Sequence, residues 1–146
     1  MIFNVVIFSI LCSVVPGLNM ASTGSDTSEP YDAASVCRRH LHMWETGDLS
    51  EFDKIIAADY VGHLASGTRD REGLRERIRT FRRLYPDIHF EVEDQFSQRE
   101  KVVTRMRAVG TNSSTGAKTE LIGINISRVV DRKVAEEWAT WESVTR

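Results

Sequence analysis

The spacing of apolar and polar positions changes once along this chain. Before Pro86 the apolar residues recur at helical intervals; after it they alternate. A first helix is predicted from near Pro30, with Ser28 or Asp32 as its cap. Val36, His40, Met43 and Trp44 lie on one face of it, and Thr46-Gly47-Asp48 supplies the stop. A second, short helix is predicted from about Leu49 to Ala57, with Phe52, Ile55 and Ile56 turned inward. Asp59-Tyr60-Val61-Gly62-His63 reads as a loop or short extended piece, punctuated by Gly67. A third helix is predicted from about Asp70 to Leu84, where Leu74, Ile78, Phe81 and Leu84 form one apolar stripe. Pro86 ends it at the preceding residue.

Beyond Pro86 the period is two. Ile88, Phe90 and Val92 alternate with His89, Glu91 and Glu93; Val102, Thr104, Met106 and Ala108 alternate with Val103, Arg105, Arg107 and Val109. Ile122, Ile124 and Ile126 alternate with Gly123, Asn125 and Ser127, and Val134, Glu136 and Trp138 with Ala135, Glu137 and Ala139. Short connections make these segments antiparallel neighbours. Helices that precede a sheet define an α+β fold.

The chain has 146 residues, which suits a single domain. Its 19 basic and 21 acidic residues nearly balance, which argues against nucleic acid or an anionic membrane as a general partner. One helix departs from that balance: Arg71, Arg75, Arg77, Arg79, Arg82 and Arg83 share the third helix with Glu72 and Glu76. Such a face either binds phosphates or is a solvated surface of Glu–Arg pairs.

The first 19 residues carry no charged side chain, and the ten after Met20 are polar. Three readings are open. The stretch is a secretory leader over residues 1–17, although it lacks a basic residue before the apolar run. It is a membrane anchor, although it falls short of the ~20 apolar residues of a span. Or Met20 is the true start. The protein is cytoplasmic on the last reading and secreted on the first, and no stable membrane span is expected. Residues 1–19 and the disordered lead-in expected over residues 20–29 stand outside the predicted domain, residues 30–146. Without Cys12, Cys37 has no partner for an internal disulfide.

Thr46-Gly47-Asp48, Asp59-Tyr60-Val61 with His63, Tyr85-Pro86-Asp87, Val103 and Arg105 with Gly110-Thr111, and Arg128-Val129 with Asp131, Lys133 and Glu137-Trp138 follow one another in order over about 110 residues. In this the chain resembles the SnoaL-like polyketide cyclase family of the nuclear-transport-factor-like fold. The resemblance implies a cone-shaped domain, three N-terminal helices packed on a curved antiparallel sheet that encloses a pocket. It also implies ring closure by intramolecular aldol condensation, or related isomerase or hydratase chemistry, with no metal and no cofactor. One departure stands out. The cyclases' final-strand Asp falls at Ala139, and their Gln and His fall at Gly123 and Asn125.

Aldol closure needs a group that removes a proton next to a carbonyl, and a carboxylate in a largely apolar pocket suits it. Glu137 lies two residues from Ala139 and so shares its side of the strand. Glu142 points to the opposite side of a regular strand and re-enters only through a bulge. Glu137 with His63 is therefore the expected acid–base pair, with Asn125 as orienting donor. His63 has a plainer role open to it, as a loop residue bonded to backbone. Tyr60 either donates to an oxyanion or packs; Trp44, Trp138 and Trp141 either wall the pocket or join the core. Arg105 and Glu142 complete the candidate ligand-binding set, Arg105 with an ion-pair partner such as Glu93 or Glu137 if it faces inward. His40 and His42 diverge on a helix and make no metal pair. The expected ligand is a small apolar carbonyl compound. A competing reading is a non-catalytic binding or assembly domain, in which Ala139 and Gly123 enlarge a pocket that has lost its acid. In that case the Ile122, Ile124 and Ile126 face buries itself in a homodimer.

Overall fold

The computed structural model describes residues 32–144; the expectations for residues 1–31 and for the last two residues lie outside them. Asp32 caps α1 (Ala33–Thr46), its side chain accepting from the Ala34 amide, and the Gly47 amide closes the helix onto Met43. Leu74 and Ile78 bury the apolar stripe of α3 (Arg71–Leu84), which Asp70 caps through the Gly73 amide. These ends are the ones the capping residues predict.

The segment between these helices departs from expectation. The second helix is a single turn, α2 (Phe52–Ile55), and the chain enters a strand at Ile56. Phe52, Ile55 and Ile56 are buried as expected. A pair of β-branched residues favours that early exit, and Ile56 finds a parallel partner in Val134. Of the two readings of the DYVGH element, loop or short extended piece, the extended one holds. It belongs to β1 (Ile56–Leu64), which forms a hairpin with β2 (Gly67–Asp70). The four expected strands follow as β3 (His89–Gln98), β4 (Lys101–Thr111), β5 (Lys118–Val130) and β6 (Lys133–Ser143).

The sheet runs β2-β1-β6-β5-β4-β3 and does not close on itself. Every neighbouring pair is antiparallel except β1 with β6. It is a curved, mostly antiparallel sheet with helices on its concave side: an α+β fold. Side-chain alternation separates its two faces. On β4, Val102, Thr104, Met106 and Ala108 are buried toward the helices, while Arg105 and Val109 are exposed on the outer face. Phe52, Ile55 and Ile56 pack with Val36, Met43, Leu74, Ile78, Val102 and Val134 at one end of the concave face. A cavity adjoins this core, sharing Leu74 and Tyr60 with it. Among the described residues no helix is long and apolar enough to cross a membrane.

Candidate functional site

The cavity measures about 260 Å³. Trp44 and Leu41 of α1, Leu74 and Phe81 of α3, and Phe90 and Trp141 of the sheet give it mostly apolar walls. Trp44 meets Phe81 edge-on at 5.5 Å, and Phe90 meets Trp141 edge-on at 6.0 Å. Ala139 also lines it. The space at Gly123 is not vacant, however. A β-carbon there would come within 2.4 Å of the Trp141 indole, so the ring lies against the bare strand. The side chain missing at Gly123 is replaced by an aromatic wall, and the enlargement expected there does not occur.

Glu137 is the one carboxylate in this lining, and its surroundings are built from four elements. It is 6 % exposed on β6. Asn125 on β5 donates from Nδ2 to Oε1 at 2.6 Å. The Tyr60 hydroxyl on β1 donates to Oε2 at 3.2 Å. His40 on α1 stands behind, its Nδ1 3.7 Å from Oε2, and its Nε2 accepts from Trp44 Nε1 at 3.1 Å. That bond assigns the His40 proton to Nδ1, facing the carboxylate. Burial lowers the His40 pKa and outweighs the opposing attraction of Glu137, so the imidazole stays neutral. Burial, with Glu137 adding to it, raises the Tyr60 pKa, so the phenol keeps its proton and remains a donor. A buried acid is thus held by neutral donors alone. The Asn125 carbonyl oxygen is buried and has no hydrogen-bond partner among the described residues. It is an acceptor left open beside the acid.

Backbone register explains how Tyr60 reaches Glu137. Gly62 is paired with Glu137 across the β1–β6 ladder. A β-carbon at Gly62 would fall 2.7 Å from the Tyr60 hydroxyl. The phenol therefore lies along its own strand over the bare Gly62 backbone and ends at the acid.

Of the predicted site residues, the structure brings Glu137, Asn125, Tyr60, Trp44 and Trp141 to the cavity. The others stand apart from that group. His63 touches the rim, but its Nε2 meets Glu136 at 2.9 Å, and its ring stacks on Trp138 at 5.0 Å, 9° from parallel. The expected pairing of His63 with Glu137 is not made. β1 runs parallel to β6 with His63 beside Trp138, one residue out of phase with the acid. Trp138 is on the outer face with Lys101 5.2 Å from its ring. Arg105 is also outside, bonded to Asp94 and Glu93 rather than to any ligand-facing group. Glu142 pairs in register with Ile122 and is exposed. Residues missed in the sequence are His40, Arg69, Arg77 and Phe90, all but His40 lining this cavity. The signal for His40 was present: a polar ring on an apolar helix face, four residues before Trp44. Among the described residues no three His, Cys, Asp or Glu side chains converge as metal ligands.

A helix-backed curved sheet with an acid at the base of an apolar cavity defines the class: an α+β pocket protein. The family model for SnoaL-like polyketide cyclases matches residues 34–145, and the chain belongs to that family. It is similar in structure to wild-type IdmH of Streptomyces antibioticus, described as a candidate polyketide cyclase. That protein is 28 % identical at a TM-score of 0.70, over 77 % of this chain and 93 % of that one. A candidate polyketide cyclase from Bacillus cereus is 26 % identical at a TM-score of 0.68, over 75 % of this chain and 74 % of that one. A SnoaL-like polyketide cyclase from Agrobacterium tumefaciens shares the fold at 13 % identity and a TM-score of 0.68, over 77 % of this chain and 92 % of that one. Comparison with curated proteins gave no match.

Proposed function

We propose that this protein catalyses acid–base chemistry at a carbon next to a carbonyl, closing or isomerising a small, largely apolar ligand. The observation that supports this reading is Glu137, the one carboxylate of the cavity lining, hydrogen-bonded by neutral donors alone. Glu137 takes the proton as the C–H bond breaks, and the electron pair moves onto the carbonyl oxygen as an enolate. The enolate carbon attacks a second carbonyl of the same molecule, and the alkoxide formed recovers the proton from Glu137. No oxidant or reductant enters the balance. Tyr60 and Asn125 hold the carboxylate in place, and the open Asn125 carbonyl accepts from a substrate hydroxyl. Glu137 thus takes the part that the family's Asp plays from the position now held by Ala139, two residues further along the same face of the strand.

The direct test is proton exchange. Aryl β-keto esters incubated in D2O should gain deuterium at the α-carbon faster with the protein than without it, as NMR reads it. Glu137→Gln should remove the acceleration. Exchange unchanged by that substitution would end the mechanism.

A second reading concerns assembly. Phe96, Val103, Ile126, Trp138 and His63 are register partners across five strands of the outer face. Phe96 is 62 % exposed, and Ile122 and Ile124 beside this row are also exposed. A second copy covering this face would bury that row. Sedimentation should give a dimer that Ile124→Glu splits. A wild-type monomer at high concentration would refute it.

A further inference from the structure

The six arginines flagged on α3, with Arg69 just before the helix, divide into two sets. Arg71 and Arg75 pair with Asp53, Arg79 and Arg83 with Glu76, and Arg82 donates to the Tyr85 and Pro86 carbonyls. Those five are paired within the protein, Arg71 and Arg75 lying over the Phe52 ring and only Arg79 and Arg83 forming the exposed Glu–Arg surface that the spacing suggested. Among the described residues Arg69 and Arg77 have no hydrogen-bond or ion-pair partner, and both line the cavity.

Their placement is built into the fold. Arg77 follows Leu74 and precedes Phe81 at helical spacing, so the three share the inward side of α3. Arg69 is the register partner of Gly62, which is itself the partner of Glu137. Arg69 and Glu137 therefore sit in one row, two strands apart, or about 10 Å between backbones. The Arg69 stem crosses Gly73, where a β-carbon would fall 2.8 Å from its Cγ. Its charge is felt at the Tyr60 hydroxyl, where it opposes the upward shift. A largely apolar cavity thus holds one acid and two guanidinium groups that have no ion-pair partner among the described residues.

We infer that the ligand carries a carboxylate, bound by Arg69 and Arg77 while its apolar body reaches Glu137. A guanidinium donates in a planar fork that matches a carboxylate and leaves an ester without its charge-assisted bonds. This rests on the proposed site and adds a charged group to the small apolar carbonyl ligand expected from the sequence.

Matched probes test it without any turnover. The affinities of 2-naphthoate and of methyl 2-naphthoate should be measured by calorimetry on the full chain. The acid should bind on the order of tenfold tighter than the ester, with a preference that shrinks as salt is added. Arg77→Gln and Arg69→Gln should each bring the ratio toward one and leave ester affinity within about twofold. Because Arg77 is exposed on its helix, Arg77→Gln is a variant that folds. Equal binding of acid and ester by the wild type would overturn the inference while leaving the acid–base mechanism standing. A ratio unmoved by both substitutions would do the same. Binding of neither probe would overturn the cavity as a ligand site, and this inference with it.

Discussion

Glu136 and Glu137 are neighbours in sequence and opposites in environment. Glu136 faces outward from β6, where Arg128 donates to it at 3.0 Å and His63 meets it at 2.9 Å. Hydrogen bonds from His63 and then Arg128 hold its carboxyl below the usual range. Glu137 faces inward and is held by a phenol and an amide. One step along a strand therefore separates a carboxylate committed to structural cations from one that faces a cavity. The outer pair uses the residue types that chemistry uses, His with Glu, yet its geometry is that of a surface ion pair. A His–Glu contact becomes a candidate for catalysis only where a cavity gives it something to act on.

The widest separation between the two acids should appear in turnover. Glu137→Gln keeps the shape of the side chain and removes its basicity. Exchange at a substrate α-carbon should fall by roughly 10²- to 10⁴-fold. Glu136→Gln should leave the same rate within about twofold, the behaviour of a surface substitution. Equal losses from both would mean that the hairpin register, rather than the cavity, carries the effect.

Much of this contrast was legible before any coordinates. Strand β6 follows β5 through a two-residue turn, with Asp131 and Arg132 both at positive φ. Alternation along β6 places Glu137 and Ala139 on one side, and a bulge brings Asn125 to it: Val129 pairs with Val134 but Arg128 with Glu136, so Ala135 is an extra residue that shifts the register by one. Alternation along β5 puts Ile122 and Ile124 opposite Asn125, on the outer face, where they are exposed. What alternation did not reveal was β1. Its apolar positions are sparse, and its partner β6 lies more than 70 residues away and runs parallel to it. Local periodicity carries no trace of that pairing. With β1 unplaced, His63 read as a base or a loop residue and Tyr60 as an oxyanion donor or a packing residue; the register turns His63 to Glu136 and Tyr60 to Glu137. Arg69 and Arg77 were hidden for a related reason. Seven arginines from residue 69 to 83 look alike as letters, and partners supplied by Asp53, Glu72 and Glu76 are what single out the two without one.

A smaller effect should follow from the register that separates the faces. Gly62 sits between Arg69 and Glu137 in one row, with the Tyr60 phenol lying over it. Gly62→Ala places a methyl within 2.7 Å of the Tyr60 oxygen, so the ring has to move off the acid. Overpacking of this kind costs about 1–3 kcal/mol. The variant should lose activity along with Tyr60→Phe, and combining the two should add little to either alone, since both remove one hydrogen bond. Additive losses would show that Tyr60 and Gly62 act independently. Ala at Val61, on the outer face of the same strand, is the control that should leave turnover alone.

The pH dependence of stability gives the finest division between the two faces. His40 beneath Glu137 has its pKa lowered from the ordinary 6.5, first by burial. Below that value the unfolded chain takes up a proton that the folded chain refuses. The stability due to a neutral His40 is complete above about pH 6.5 and is lost as the pH falls toward its folded pKa. The slope for one such proton is at most about 1.4 kcal/mol per pH unit. Glu136 is also lowered, from an ordinary 4.5, so its contribution is intact at pH 6 and begins to go only below about that value. Urea unfolding at pH 7.5, 6.0 and 5.0 should therefore show a decline in the wild type that His40→Gln flattens and Glu136→Gln leaves in place. Were His40→Gln to decline in parallel with the wild type, the imidazole would be taking up its proton in the folded state. The donors around Glu137 would then no longer be neutral, and the distinction between the two neighbouring acids would narrow to burial alone.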